Sequence, residues 1–269
     1  MSAGPKRPHA VVCAKIVPRP EEVRFDPVTN NLDRTGARSE FNPPDLNAVE
    51  AALRIKDSCG GSVSILSMGP PFVLGFLEWT VRMGADHIYL LSDRKFAGSD
   101  TLATTYALAQ AIGKLEPVDL VICGEESSDG ATGQVPPGIA QWLGWPQATY
   151  AESLSLAGPR RLRAVREVAD GHQVVESSLP AVASVKTGSN EPRFPDFGQT
   201  LGEREHVTIW SAGDLGLDER RIGQSGSPTT VDGTYPAPAS ERKREFLAPD
   251  ARQAARVLAA KLREILEPG

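Results

Sequence analysis

The stretch with the most chemical promise is Asp119-Leu120-Val121-Ile122-Cys123-Gly124-Glu125-Glu126-Ser127-Ser128-Asp129-Gly130-Ala131-Thr132-Gly133-Gln134-Val135-Pro136-Pro137. An apolar run stops at a glycine and a polar loop follows. A helix is expected to begin between Thr132 and Pro136, with prolines in its first turn. Gly130 and Gly133 permit positive φ, which lets backbone amides come close to a ligand. Unpaired N–H groups at a helix start, with the hydroxyls of Ser127, Ser128 and Thr132, suit a phosphate. Glu125, Glu126 and Asp129 would repel an unshielded phosphate, so they must point away or bind elsewhere. Spacing alone leaves two readings open: a nucleotide site, and an ordinary capped strand–loop–helix turn.

Two further stretches stand out. Asn42-Pro43-Pro44-Asp45 reads by itself as a helix start. It follows a long polar loop (Glu21 to Glu40), which would lay it over the strand ends near the phosphate candidate. Asn190-Glu191-Pro192-Arg193-Phe194 suits a surface arm: a proline bracketed by charges, then an aromatic. Glu191 and Arg193 can pair with each other or with a partner. Phe194 and Phe197 can anchor an interface, although a plain surface loop has the same composition.

Several absences narrow the chemistry. No GxGxxG follows the first strand, and neither GxxxxGK[ST] nor GxSxG occurs. His9, His87, His172 and His206 are scattered without partners at ligand spacing, so no metal site is expected. His87 falls in a strand run and reads as structural; the others read as exposed. Cys13, Cys59 and Cys123 are odd in number and far apart, against a disulfide framework or structural zinc. Cys13 and Cys123 read as small buried residues near strand ends. Nothing assembles into an acid/base or nucleophile set. Binding is favoured over covalent catalysis.

The positioning elements follow from apolar periodicity. Ala10–Val17, Val63–Ser67, His87–Leu91 and Val118–Cys123 read as buried parallel strands. Asp45–Lys56, Phe72–Met83, Thr101–Leu115 and Val135–Leu143 read as helices between them, with Asp100 a candidate cap and Gly84 and Gly144 as stops. This alternation predicts an α/β fold: a parallel sheet with right-handed crossovers and helices on both faces. Ligands bind such sheets beyond the carboxyl ends of the strands, where the strand order reverses. Ser153–Leu156, Leu162–Val168 and Gln173–Ser178 predict a small antiparallel meander, and Leu179–Val185 one more strand. Residues 186–240 form a long Gly-, Pro- and Asp-rich extension with little periodicity, expected to be disordered or packed on another chain. Arg252–Leu266 closes the sequence as an amphipathic helix with Ala255, Leu258, Leu262 and Ile265 on one face.

The 269 residues fit one large α/β domain, or one domain with a substantial extension; 40% are hydrophobic and 23% charged. A net charge of −5 speaks against nucleic acid as the main partner. The basic run within Glu241–Glu245 is flanked by acids and reads as solvated surface. Met1 to Pro8 is short and polar and is read as no signal peptide. No apolar run reaches spanning length, so no membrane insertion and a cytoplasmic location are expected.

Set in order, these stretches resemble the electron transfer flavoprotein beta subunit from Val11 to the last helix. The matching pieces are Ala14-Lys15-Ile16-Val17-Pro18; Asn42-Pro43-Pro44-Asp45 with Ala48, Glu50, Ala51, Leu53 and Arg54; Met83-Gly84-Ala85-Asp86; Asp119 to Gly124; Asp129-Gly130-Ala131-Thr132-Gly133-Gln134-Val135; Leu179-Pro180-Ala181-Val182; Asn190 to Phe194; Gly213-Asp214-Leu215-Gly216-Leu217; and Gly226-Ser227-Pro228-Thr229. Each is weak alone; together and in order they are specific.

The resemblance implies an adenine-nucleotide-binding sheet of order 3-2-1-4-5. It implies a beta subunit that holds AMP while a partner alpha subunit carries most contacts to a shared FAD. The electron carrier so formed would take electrons from an acyl-CoA dehydrogenase-type flavoenzyme to a quinone-linked oxidoreductase. Cofactor-binding residues by position would be Cys13, Asn42, Pro43, Asp45, Met68, Gly124, Asp129, Gly130, Ala131, Thr132, Gly133, Gln134 and Val135. Asn42 and Asp129 would meet ribose or adenine edges, and Met68 the base. Glu191, Arg193, Phe194 and Phe197 would belong to a partner-docking loop, with Phe197 at the inserting position. The family's lysine-rich tail to that loop is absent, because Gln199 to Glu205 replaces it; this implies docking led by apolar contact. Implied domains are 1–185, a nucleotide-binding domain including the meander at 150–178; 186–240, the docking arm and extended segment; and 241–269, a helix packing on the partner subunit. Some members hold a second FAD in place of AMP and use NADH to bifurcate electrons. Their loop commonly reads Asp-Gly-Asp-Thr, and here the third residue is Ala131. Two other readings remain compatible: a stand-alone nucleotide-binding protein of the same fold, and a pure interaction module. An ATP-cleaving version would want a Gly- and Ser-rich loop where the chain has Ile16-Val17-Pro18-Arg19-Pro20.

Overall fold

In the computed structural model the described residues are 7–19, 22, 24–25, 32–33, 37–115, 117–158, 160–198, 206–229, 246–247 and 250–266. In chain order the first elements are β1 (His9–Cys13), β2 (Ile16–Pro18), β3 (Arg24–Phe25), β4 (Leu32–Asp33), β5 (Ser39–Phe41), α1 (Pro43–Cys59), β6 (Ser62–Met68), α2 (Leu74–Met83), β7 (His87–Leu91), α3 (Thr101–Lys114) and β8 (Leu120–Gly124). They are followed by α4 (Val135–Leu143), β9 (Gln147–Leu156), β10 (Arg161–Val168), β11 (Gly171–Ser178), β12 (Ala181–Val185), β13 (Val207–Trp210) and α5 (Ala251–Leu266).

The β-branched runs form the middle of one sheet. β1 pairs in parallel with β6 on one side and β8 on the other, then β7 follows β6 and β12 follows β8. Among these five strands the spatial order is 3-2-1-4-5, with the first strand at the centre. Neighbouring residues point to opposite faces. Val12, Ile65, Ile88 and Ile122 pack with Val49 and Leu53 of α1 and Leu77 of α2. Val11, Leu66, Val121 and Val182 pack with Leu108 and Ile112 of α3 and Ile139 of α4. All five residues of β8 and of β12 are buried, as expected where helices cover both faces.

Local signals fix the helix ends. α1 starts with prolines in its first turn, and Asp100 caps α3 by accepting the Ala103 N–H at 3.0 Å. α4 stops at Gly144 in the left-handed region. The meander is present as β9–β10–β11, and it continues the main sheet, because β9 lies parallel to β12.

Three expectations are corrected. Ala10–Val17 is not one strand: β1 ends at Cys13, and β2 pairs with β5 in a separate two-stranded sheet. The chain leaves the main sheet at Ala14-Lys15 because the Lys15 N–H is drawn to Asp45 and the Lys15 carbonyl accepts from Asn42. Residues 206–229 pack on this chain itself. β13 extends the sheet in parallel beyond β7, Ala212, Leu217 and Ile222 are buried, and the Thr229 hydroxyl donates to Asp100. His9 is half-buried, its ring bonded to the Ser64 hydroxyl at 2.9 Å, and His206 is also half-buried.

Most of Glu21–Glu40, and all of Gln199–Glu205 and Glu241–Glu245, lie outside the described residues. The chain divides into two units, residues 1–234 and 235–269. In the second, α5 carries Leu258, Leu262 and Ile265 as an exposed row. Among the described residues no helix is long and apolar enough to cross a membrane.

Candidate functional site

The strand order reverses at β1, whose two neighbours β6 and β8 are reached by connections running to opposite sides. At the carboxyl ends of these strands lies a cavity of about 550 Å³. Its floor is Cys13 and Cys123, in register on adjacent strands and both buried. Hydrogen bonding with Cys13, and then burial, push the Cys123 thiol up, which disfavours its thiolate.

Asp45 sits beside them and ties the two strand ends together. One carboxylate oxygen accepts the Lys15 N–H at 2.8 Å and the other the Gly124 N–H at 3.2 Å. Burial pushes its carboxyl up to about 7, against the pull of these N–H donors. A β-carbon at Gly124 would stand 2.5 Å from Asp45 Oδ1 and 2.7 Å from Pro44 Cβ, so only glycine fits this junction.

Asn42 is almost wholly buried and shapes the loop after β8. Its amide donates to the Glu126 carbonyl at 2.9 Å and accepts the Ser128 N–H at 3.1 Å. Both polar atoms are therefore engaged by the loop backbone, and Asn42 also lines the cavity. Glu125 accepts the Thr187 N–H at 2.8 Å, and Asp129 pairs with Lys15 Nζ at 2.5 Å. Ala131 and Gly133 both take positive φ, 45° and 61°, which turns the loop back toward α4. Thr132 Oγ1 accepts weakly from the Gln134 N–H and lies 3.2 Å from Thr101 Oγ1.

Of the sequence candidates, Cys13, Asn42, Asp45, Met68, Gly124, Asp129, Gly130, Thr132, Gly133 and Val135 line the cavity. Pro43, Ala131 and Gln134 do not: Pro43 opens α1, Ala131 shapes the loop, and Gln134 occupies the cap position of α4. The start of α4 is also poorer in donors than expected, because Pro136 and Pro137 have no N–H. Sequence reasoning missed the opposite wall. Phe96 and Leu108 join Leu66, Met68 and Val135 as apolar lining, and Gly98, Ser99, Asp100, Thr101, Thr104 and Thr229 form a polar rim at the start of α3. The Asp100 cap was the one available signal for that rim.

These residues fit an adenine nucleotide. Glycine cradles allow close backbone approach, hydroxyls and helix starts suit phosphate, a carboxylate suits ribose hydroxyls, and an apolar wall suits the base. No group of three or more His, Cys, Asp or Glu is placed to hold a metal ion among the described residues.

The arm after β12 is braced against α1. Arg193 donates to Glu50 through its backbone N–H and its guanidinium, and reaches Asp57 at 2.7 Å. The sequence leaves Glu191 and Arg193 open to pairing with each other or with a partner; Arg193 pairs with carboxylates of α1, far away in sequence. Burial raises the Glu50 carboxyl, but Arg193 and Arg54 outweigh it and hold the group below the usual carboxylate range. Asn47 and Asn190 exchange amide hydrogen bonds alongside. Beyond this brace Phe194 is 92% exposed and Phe197 67% exposed, the latter edge-on to Trp79 at 6.3 Å.

Residues 29–215 match the electron transfer flavoprotein domain model. The chain is 40% identical over 254 residues to the electron transfer flavoprotein subunit beta of Thermoanaerobacterium thermosaccharolyticum, covering 94% of this chain and 96% of that protein. It is 40% identical over 256 residues to the caffeyl-CoA reductase-Etf complex subunit CarD of Acetobacterium woodii, covering 94% and 97%. Protein FixA of Azotobacter vinelandii is 40% identical over 242 residues, covering 87% and 86%. Matched in its central domain and over nearly its whole length, the chain belongs to the electron transfer flavoprotein family, among its beta subunits.

Proposed function

We propose that this chain is an electron-carrier subunit that pairs with an alpha subunit and holds AMP in the cavity at the strand ends. The flavin would sit mostly on the alpha subunit and carry the redox chemistry. Electrons would arrive from an acyl-CoA dehydrogenase-type flavoenzyme and leave to a quinone-linked oxidoreductase. The observation carrying this reading is the cavity of about 550 Å³, where an apolar wall faces a hydroxyl-rich rim at two helix starts. Amides and hydroxyls around Thr132 and Thr101 would take the phosphate, Asp129 the ribose, and Leu66, Met68 and Phe96 the base. The braced arm fits a docking element, with Phe194 and Phe197 meeting the dehydrogenase. Residues 241–269, including α5, would pack on the alpha subunit through the Leu258–Leu262–Ile265 row.

A second reading is a second FAD in the same cavity, used with NADH. What favours it is the rim at Gly98–Thr104, a second helix start facing the first, which suits a ligand with two phosphates. Co-expression with an alpha subunit, followed by mass spectrometry of the nucleotides released on denaturation, tests both. AMP supports the first reading and a second FAD per heterodimer the second. A colourless mixture that never associates would refute both. Thr132→Asp places negative charge against the phosphate; unchanged nucleotide occupancy in that variant removes Thr132 from the site.

A further inference from the structure

The tip of the arm after β12 is tied to α2 at several points. The Asp196 N–H donates to the Arg82 carbonyl at 2.9 Å. That carbonyl belongs to the last turn of α2, where helix carbonyls have no partner within the helix. Just past Phe197, the Gly198 N–H donates to the Asp196 carboxylate at 2.8 Å. The backbone on both sides of Phe197 is therefore held. The Phe197 ring leans on α2 as well. It stands edge-on to the Trp79 indole, with planes at 82° and centroids 6.3 Å apart, and the Arg82 guanidinium lies 5.8 Å from its centroid. Both arrangements are favourable for an aromatic ring. Trp79 is 48% exposed, on the side of α2 away from the buried Leu74 and Leu77, so the core does not account for its position. Phe197 itself stays mostly exposed, so the contact orders the ring without hiding it.

Resting on the reading of this arm as a docking element, we propose that Trp79 is a positioning residue for Phe197, holding its ring in the posture from which it enters an apolar pocket of the dehydrogenase. An exposed phenylalanine on a loop loses backbone and rotamer freedom when it docks, and that loss weakens binding. A ring already held against α2 has lost part of that freedom before the partner arrives. For one immobilised side chain the gain corresponds to about threefold to tenfold in affinity. The effect falls on association. Once docked, the ring occupies the same place with or without Trp79, so the electron step keeps its rate. Helix α2 thereby sets how well the arm docks, although it lies more than a hundred residues before the arm in sequence.

The test uses the heterodimer co-expressed with its alpha subunit and a purified acyl-CoA dehydrogenase reduced by its acyl-CoA. Stopped-flow rates of flavin reduction, read against dehydrogenase concentration, give a half-saturating concentration and a limiting rate. Trp79→Ala should raise the half-saturating concentration about threefold to tenfold, with limiting rate and flavin content unchanged. Trp79→Phe keeps an aromatic ring under Phe197 and should restore most of the wild-type value. In the Phe197→Ala background, Trp79→Ala should change the half-saturating concentration by less than about twofold, because the ring to be positioned is gone. A wild-type half-saturating concentration in Trp79→Ala, a lowered limiting rate, or the same fold loss with and without the Phe197 ring overturns the positioning role alone. An unmodified heterodimer that takes no electrons from the dehydrogenase, or a Phe197→Ala variant with wild-type values, overturns the docking reading and the positioning role with it.

Discussion

The hydroxyl of Tyr150 lies against Gly133, so close that a β-carbon added there would stand 2.4 Å from it. Both residues hold positive φ, 57° and 61°, and the Tyr150 N–H is fixed by the buried Ser184 hydroxyl at 2.9 Å. Backbone strain at a non-glycine residue beside a ligand cavity is expected where a loop must hold one shape. Gly133→Ala should cost about 1–2 kcal/mol for the left-handed backbone alone, since the Tyr150 ring can swing aside. It should lower the unfolding midpoint by about 2–4 °C per kcal/mol and reduce nucleotide bound per chain. Thermal unfolding with nucleotide analysis checks this, and wild-type values in both would show the loop tolerates a side chain.

Asp45 makes stability depend on pH in an unusual direction. Burial lifts its folded pKa from 3.8 to about 7. Between those values the folded protein holds a proton that the unfolded chain has released. Its contribution to stability therefore falls as pH rises from about 4 to 7, then levels off. Asp45→Asn should remove this slope. It should also cost about 1–3 kcal/mol, because an amide oxygen cannot satisfy both the Lys15 and Gly124 N–H groups as the carboxylate does. Urea midpoints of both proteins from about pH 5 to pH 8 give the difference; parallel curves would place the titration elsewhere.

Arg193→Ala strands Glu50, whose side chain is 5% exposed, with Arg54 as its remaining guanidinium partner. Arg193 is itself a third exposed, so the loss is discounted to about 1–3 kcal/mol. Protease cleavage within 186–198 should speed up as the arm loosens, and electron exchange with a dehydrogenase should slow with it. A variant with unchanged stability and cleavage would mean that the remaining contacts of the arm, among them Asn47 with Asn190 and the Asp196 N–H with the Arg82 carbonyl, suffice to hold it.

Phe197→Ala and Phe194→Ala remove exposed rings and should each cost under about 1 kcal/mol of stability. At an interface such rings act as anchors. Flavin content should stay at the wild-type level while stopped-flow electron exchange with the dehydrogenase drops about tenfold, a loss of about 1.4 kcal/mol. Rates equal to wild type would take that ring out of the interface.

Much of this is legible in the sequence. The alternation of buried apolar runs with amphipathic helices gives a parallel sheet by physical reasoning, and the loop from Gly124 to Val135 announces itself by its glycines and hydroxyls. What escaped did so for physical reasons. Ala10–Val17 is apolar except for Lys15, and a single lysine does not show that the backbone turns out of the sheet there, because the turn is set by Asp45, thirty residues further on. Arg193 has a carboxylate two residues away, yet its partners come from α1, a contact no local pattern encodes. Segment 206–229 looked unstructured because its buried residues Ala212, Leu217 and Ile222 follow neither helical nor strand spacing. Thr101 and Thr229 reach the cavity from two distant parts of the chain, and only the fold brings them together.

The placement of β13 has a consequence for how the molecule is made. β7 is the third parallel strand of the chain, but its outer hydrogen-bonding edge is closed by Val207–Trp210. A polypeptide still emerging from the ribosome holds that edge bare until nearly four-fifths of the sequence has been synthesised. During this interval Ile88 and Leu90 belong to a strand with a free side, the kind of template on which unfinished chains stick to one another. Truncation before residue 206 would therefore yield aggregates rather than a smaller working fragment.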